Sequence, residues 1–279
     1  MAAVTPEPRY FFIIGAMKAG TTSLYKYLAG HPELYASPRK EPRIFRDPGT
    51  TEDQRRAFLS LFDGRSHQPW CFEASTAYTK YPRICGVPQR LRAVVPDARF
   101  VYLVRNPVER AWSHYVHNLA QGREPRPFSE AIVERPQYLN ISRYHLQLQQ
   151  YLRVFPREQI LVQVFEEMTR DPLATVRAVC DFLGVDGSYE PPTARVAYNA
   201  SETKLRASRP LQMVRALGIE DAIPGKLRQW IKSQGSPLPT KKAGFPVELR
   251  AEVVESLRAD TEAFFTVFGR RISGWPEFA

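Results

Sequence analysis

Tyr10–Leu28 reads YFFIIGAMKAGTTSLYKYL, and its character changes abruptly at Gly15. Phe11, Phe12, Ile13 and Ile14 form a continuous apolar run, short enough for a strand buried on both faces. Gly15 and Gly20 bracket a turn carrying Lys18. Thr21, Thr22 and Ser23 then open a helix expected over about Thr22–Ala29 and stopped at Gly30–His31–Pro32. A strand, a glycine turn and a helix N-terminus together make an anion site, because free N–H groups point outward and the helix dipole favours negative charge. Lys18 adds a full positive charge, and the three hydroxyls add donors. The bland alternative is a tight βα turn with a lysine reaching into solvent.

Which anion is the next question. A Walker A loop places its lysine directly after the second glycine, followed by Ser or Thr. Here Thr21 follows Gly20 and the lysine sits two residues before it, so the nucleotide-hydrolase pattern fails although the physics of phosphate cradling is shared.

Beyond this unit the chain alternates. Glu33–Ala36 is a possible short strand, Ser37–Asp47 a charged, proline-containing loop, and Thr51–Phe62 an amphipathic helix with Phe58, Leu61 and Phe62 on one side. Trp70–Phe72 reads as a strand, Glu73–Thr79 as a loop, and Pro82–Val95 as a helix. Arg99–Val104, RFVYLV, is the clearest strand, and a helix starting near Pro107 runs to Gly122. Glu130–Glu134, Arg143–Phe155 and Pro172–Leu183 read as helices and Ile160–Phe165 as a strand. After a proline- and hydroxyl-rich stretch from Tyr189, Pro210–Leu217 and Gly225–Ser233 read as short helices, Gly235–Pro246 as a loop and Val247–Phe268 as a long helix. Alternating strands and helices predict an α/β fold, a three-layer sandwich around a mainly parallel central sheet, with residues 1–279 as a single domain.

A second motif lies at Arg105-Asn106-Pro107, directly after the clearest strand, with Ser113 eight residues after the arginine. In open α/β sheets ligands bind at the carboxyl ends of strands, so Arg105 belongs where the first loop's ligand would lie. Ser113 follows roughly two helical turns later, on the same side. Arginine suits a phosphate because its fork grips two oxygens and stays charged. Arg110 is expected as a surface ion-pair residue.

The form K-x-G-T-T-S after an apolar strand resembles the 5′-phosphosulfate loop of sulfotransferases that use 3′-phosphoadenosine 5′-phosphosulfate (PAPS). The strand–R-x-P–helix with its serine resembles their 3′-phosphate element. Together they identify the chain as similar to the heparan-sulfate-sulfotransferase-like superfamily, including its bacterial members. That resemblance implies a P-loop-NTPase-like sulfotransferase fold and transfer of a sulfuryl group to an acceptor hydroxyl, leaving adenosine 3′,5′-bisphosphate (PAP), with no metal required. It assigns Lys18, Ala19, Gly20, Thr21, Thr22, Ser23, Arg105 and Ser113 to the nucleotide, with Lys18 also catalytic beside the leaving phosphate. It makes Glu41 the general base, in Glu41-Pro42-Arg43-Ile44-Phe45, where Arg43 stands in place of the family's histidine. Lys241 and Lys242 sit where relatives close a basic loop over the 3′-phosphate. Arg43, Glu73 and Tyr78 are the expected acceptor contacts, although Ala74 lacks the lysine that glycan enzymes often carry beside the glutamate.

Composition sets bounds. Of 279 residues, 43% are hydrophobic and 24% charged, and the formal net charge is +10 with a pI near 9.6. That balance suits a polyanionic ligand. Three scattered cysteines give no disulfide framework or zinc site and fit a reducing cytoplasm. The five histidines show no metal spacing and are expected in structural or surface roles. No apolar run approaches a membrane span and the N-terminus does not read as a signal peptide, so the expectation is a cytoplasmic enzyme or a catalytic domain cut from something larger. The expected acceptor is a small molecule, lipid, sugar or carrier-bound metabolite, with no nucleic-acid partner expected; oligomeric state is not legible. The competing readings are a P-loop-type kinase or other nucleotide-phosphate-binding protein, and a non-catalytic polyanion-binding module. The first lacks the lysine position and an aspartate ending the Arg99–Val104 strand; the second lacks basic residues interleaved with aromatics on one face.

Overall fold

The structure is a computed structural model that describes residues 7–192, 194, 205–206, 236–237 and 245–279. Lys241, Lys242 and the helices expected at Pro210–Leu217 and Gly225–Ser233 lie outside the described residues.

Five strands form one sheet: β1 (Arg9–Gly15), β2 (Leu34–Ala36), β3 (Trp70–Ala74), β4 (Arg99–Val104) and β5 (Ile160–Val164), in the order β2-β3-β1-β4-β5. Every neighbouring pair in it is parallel. Parallel strands need crossover connections, and α1 (Thr21–Leu28), α2 (Thr51–Leu59), α3 (Val87–Val94) and α4 (Pro107–Ala120) supply several of them. The helices α5 (Phe128–Glu134), α6 (Gln137–Asn140), α7 (Tyr144–Leu152), α8 (Phe165–Arg170), α9 (Pro172–Leu183) and α10 (Val247–Phe268) complete the regular helices described. A two-residue antiparallel pair, β6 (Leu205–Arg206) with β7 (Ser236–Pro237), stands apart from the sheet.

The double phenylalanine of β1 shows why the sheet has helices on both faces. Successive strand residues point to opposite sides. Phe11 stacks on Phe72 at 4.6 Å, and Phe72 meets Tyr25 of α1. Phe12 stacks instead on Phe58 of α2 at 5.3 Å and on Phe100 at 5.8 Å, and Phe100 packs on Tyr151 of α7. The run Phe11–Ile14 is wholly buried, as expected of a strand covered on both faces. The three-layer, mainly parallel α/β reading therefore holds.

Several boundaries differ from expectation, three of them near the cleft. The helix expected from Pro82 begins at Val87, because Gly86 adopts φ +74° just before it and Pro88 fills its first turn. Glu73–Thr79 is not a loop: β3 continues to Ala74, and Thr76–Thr79 is a 3₁₀ turn. Phe165 starts α8 rather than ending β5.

Candidate active site

The loop between β1 and α1 lies at the carboxyl edge of the sheet, where β4 and β3 also end. Its backbone is held from below: Ala16 N donates to Leu103 O at 2.5 Å, and Ala19 N donates to Ala16 O at 3.1 Å. Gly20 has φ +89°, and a Cβ there would lie 2.6 Å from Met168 Cε and 2.7 Å from Phe165 Cδ2. Glycine is thus required both by conformation and by the close approach of α8. No side chain caps α1, and Thr21, Thr22 and Ser23 of its first turn line the cleft, the Ser23 N–H being spent on Gly20 O at 2.9 Å. Ala19 is fully buried and donates its N–H to Ala16 O within the loop.

Two arginines of the second motif prop this loop. Arg105 Nη1 donates to Lys18 O at 3.3 Å, and Arg110 Nη1 to Met17 O at 3.4 Å. Arg110 is not the expected surface ion-pair residue. It is fully buried, donating also to Ser142 Oγ at 2.6 Å and Tyr138 O at 2.5 Å, and burial pulls its pKa down to about 10. Arg105 packs over the Phe165 ring at 4.9 Å. Tyr144 clamps its backbone, its hydroxyl donating to Arg105 O at 2.6 Å. Asn106 caps α4 by accepting from Val108 N and Glu109 N, which fixes the register that brings Ser113 to the same wall.

Arg105 Nε and Ser113 Oγ are buried and make no hydrogen bond among the described residues. Both residues line the cleft. Buried donors are almost always satisfied. Two orphaned donors on one wall, one of them cationic, fit a phosphate.

The same cleft is lined by Glu41. Its carboxylate accepts from Thr76 N at 3.2 Å, Thr76 Oγ1 at 3.0 Å, Lys40 Nζ at 3.0 Å and Arg43 Nε at 3.4 Å. Burial pushes its pKa up, but the charge of Lys40 and the hydrogen bonds from Lys40 and Thr76 outweigh that and hold it below the usual carboxylate range. Glu41 and Arg43 have φ +61° and +60°, and Lys18 has φ +74°. These are the three described non-glycine residues with positive φ, and all three line one cleft. Strained backbone of this kind clusters at functional sites.

The cleft has a volume of about 1310 Å³ and brings together Lys18, Gly20, Thr21–Ser23, Arg105, Ser113, Glu41 and Arg43. Glu73 and Tyr78 are absent from its walls, which corrects their expected role as acceptor contacts. β3 extends two residues further than its apolar core suggests, and so draws Glu73 inside. Glu73 is fully buried, accepts from Ser75 Oγ at 2.8 Å, and is pushed up to about 7 by burial. Tyr78 is buried beneath the Glu41 turn, its hydroxyl accepting from Phe45 N at 3.3 Å.

Sequence reasoning missed Lys80, Arg83, His114 and His117, all of which line the cleft. Lys80 and Arg83 follow a strand's carboxyl end, a position where a cation is a signal in itself. His114 adjoins Ser113 in the helix already singled out. It is buried, with Nδ1 lacking a hydrogen bond among the described residues, and burial then Arg110 drive its pKa well below the usual imidazole value.

With this geometry established, comparison with known sequences is decisive. The profile described as the sulfotransferase family matches residues 52–191, half of the chain. The chain belongs to the sulfotransferase family. The chain is 30% identical over 186 residues to mouse heparan sulfate glucosamine 3-O-sulfotransferase 3A1, covering 62% of the chain and 45% of that protein. It is 27% identical over 197 residues to human bifunctional heparan sulfate N-deacetylase/N-sulfotransferase 2, covering 63% and 22% respectively. The chain thus spans about half or less of these curated relatives. A solved sulfotransferase from Alicyclobacillus acidocaldarius superposes with TM-score 0.70 at 28% identity, covering 97% of this chain and 99% of that one. The sulfotransferase domain from the curacin biosynthetic pathway shares the fold, with TM-score 0.54 at 14% identity, covering 95% of this chain and 99% of that one. The family and fold expected from the two motifs are therefore those found. No described helix is long and apolar enough to cross a membrane.

Proposed function

We propose that the chain, acting as one domain in the cytoplasm, transfers a sulfuryl group from PAPS to the hydroxyl of a small-molecule, lipid, sugar or carrier-bound acceptor. The observation that carries this reading is the pair of orphaned buried donors, Arg105 Nε and Ser113 Oγ, facing the same cleft as the Lys18 loop. An uncapped helix N-terminus with Lys18 fits one phosphate, and Arg105 with Ser113 fits a second. Two separated phosphate sites suit a 3′,5′-bisphosphate better than the linear triphosphate of a kinase.

When bound, PAPS supplies the sulfuryl group and leaves as PAP. The chain's own residues position and balance charge, as in phosphoryl transfer. Lys18 faces charge that develops on the departing phosphate oxygen. Glu41, ionised at neutral pH, accepts the acceptor's proton, and Thr76 and Lys40 hold its carboxylate in place. Arg43 sits beside that carboxylate, half of its side chain in solvent, and meets the incoming acceptor. Each of these steps draws on donors, a base and cations already on the walls of the cleft.

The experiment is calorimetric titration with PAP beside ATP and magnesium. Tight PAP binding with little ATP binding is expected. The reverse would replace this reading with the kinase one.

A further inference from the structure

Lys80 has a position that the roles above do not use. It follows the 3₁₀ turn Thr76–Thr79, whose two ends are tied to two different parts of the cleft. At one end Thr76 holds Glu41. At the other, Thr79 Oγ1 donates to Ile14 O at 2.9 Å, directly before the Lys18 loop. This contact exists because residue 15 is glycine: a Cβ there would lie 2.0 Å from Thr79 Oγ1. Lys80 is therefore anchored, one residue away, to the strand that feeds the loop, and it lines the same cleft.

Its ammonium makes no hydrogen bond among the described residues, whereas Lys40 on the same wall is spent on Glu41. The groups facing it come from three segments: Glu41 and Arg43 from the turn above, Arg83 from the segment after it, and Arg110 and His114 from α4. His114 in turn feels both Lys80 and Lys18. A half-buried cation held among three arginines, with one nearby carboxylate already satisfied by other donors, is an unfavourable arrangement unless an anion enters.

We propose that Lys80 is a second cation of the reacting centre, contacting the oxygens of the sulfuryl group in transfer. This rests on the reading of the cleft as a PAPS site. A lone pair of the acceptor oxygen forms the new S–O bond, and the pair of the breaking S–O bond stays on the 5′-phosphate oxygen of PAP. The acceptor's proton passes to Glu41. Lys80 keeps its proton throughout and, opposite Lys18, offsets the negative charge of the sulfuryl oxygens between the two.

The test needs no acceptor, since PAP and PAPS differ by the sulfuryl group alone. Both are titrated into wild type, Lys80→Ala and Lys80→Arg. Lys80→Ala should weaken PAPS about tenfold, ~1.4 kcal/mol, while PAP stays within twofold and so reports an intact fold. Lys80→Arg should recover most of the loss. Burial pulls the Lys80 pKa down to about 8, so the wild-type preference for PAPS over PAP should fade as pH rises through that value and persist in Lys80→Arg. Parallel weakening of both nucleotides, unrelieved by arginine, would make Lys80 structural and overturn the proposal. An unchanged PAPS affinity would overturn it equally. Wild type that binds neither nucleotide would overturn the donor reading itself, and the Lys80 role with it.

Discussion

Replacing Arg105 by alanine separates a ligand-reading arginine from one that merely supports its loop. The side chain is buried and its Nε has no partner among the described residues, so a bound 3′-phosphate would gain Nε and a neighbouring Nη together. A hydrogen bond to a charged group contributes about 1.5–3 kcal/mol net. Two such bonds, reduced by water that replaces the lost guanidinium, leave a deficit of about 3 kcal/mol, or roughly 150-fold in affinity. The supporting role is weaker. The Arg105 contact to Lys18 O is long at 3.3 Å, and the Phe165 stacking at 4.9 Å, of a class worth up to about 2 kcal/mol when desolvated, is made without any ligand and so bears on the fold more than on affinity. Adenosine 5′-monophosphate, which lacks the 3′-phosphate, should therefore lose only about threefold. Calorimetry of PAP and of the monophosphate against wild type and Arg105→Ala measures both numbers. Equal losses for the two ligands would refute the argument and reduce Arg105 to a prop for the loop.

Two further expectations concern the carboxylates. Glu41→Gln should lower turnover by ~10²–10⁴, the usual contribution of a general base, and leave PAP binding within a few-fold, because an amide oxygen still accepts from Thr76. Lost PAP affinity would show that Glu41 shapes the nucleotide site instead. Glu73 is raised from 4.5 to about 7 by burial, so its protonated form belongs to the folded state. Its stabilisation is complete below the unfolded value near 4.5 and disappears as pH rises through about 7. That displacement corresponds to ~3 kcal/mol. Chemical denaturation from pH 4.5 to 8 should show wild type losing stability relative to Glu73→Gln, and parallel curves would mean that Glu73 is not buried as described.

The parts of the site carried by local pattern are legible in the sequence. Phe11–Ile14, Lys18, Gly20 and Arg105-Asn106-Pro107 lie in contiguous strand–turn–helix units, in which chain chemistry alone dictates where donors point. Glu73 and Tyr78 depart from expectation because their fate is decided by how far β3 runs into the sheet, which the short apolar core Trp70–Phe72 does not reveal. Arg110 departs for a related reason. On a helix, a charged residue five positions after Arg105 looks solvent-facing until α6 and the Met17 carbonyl are packed against it. Lys80 depends on a contact between Thr79 and Ile14 that spans 65 residues, and no local periodicity encodes such a contact.

The left-handed backbone at Lys18, Glu41 and Arg43 has a consequence for the history of the fold. At each position glycine or asparagine would relax the chain, so a sequence tuned for stability alone would converge on them. Here a lysine, a glutamate and an arginine hold that conformation instead, so the charges they bring to the cleft come at a cost in backbone strain. Variants selected only for heat resistance should change these three positions first, and become well-folded proteins with an inert cleft.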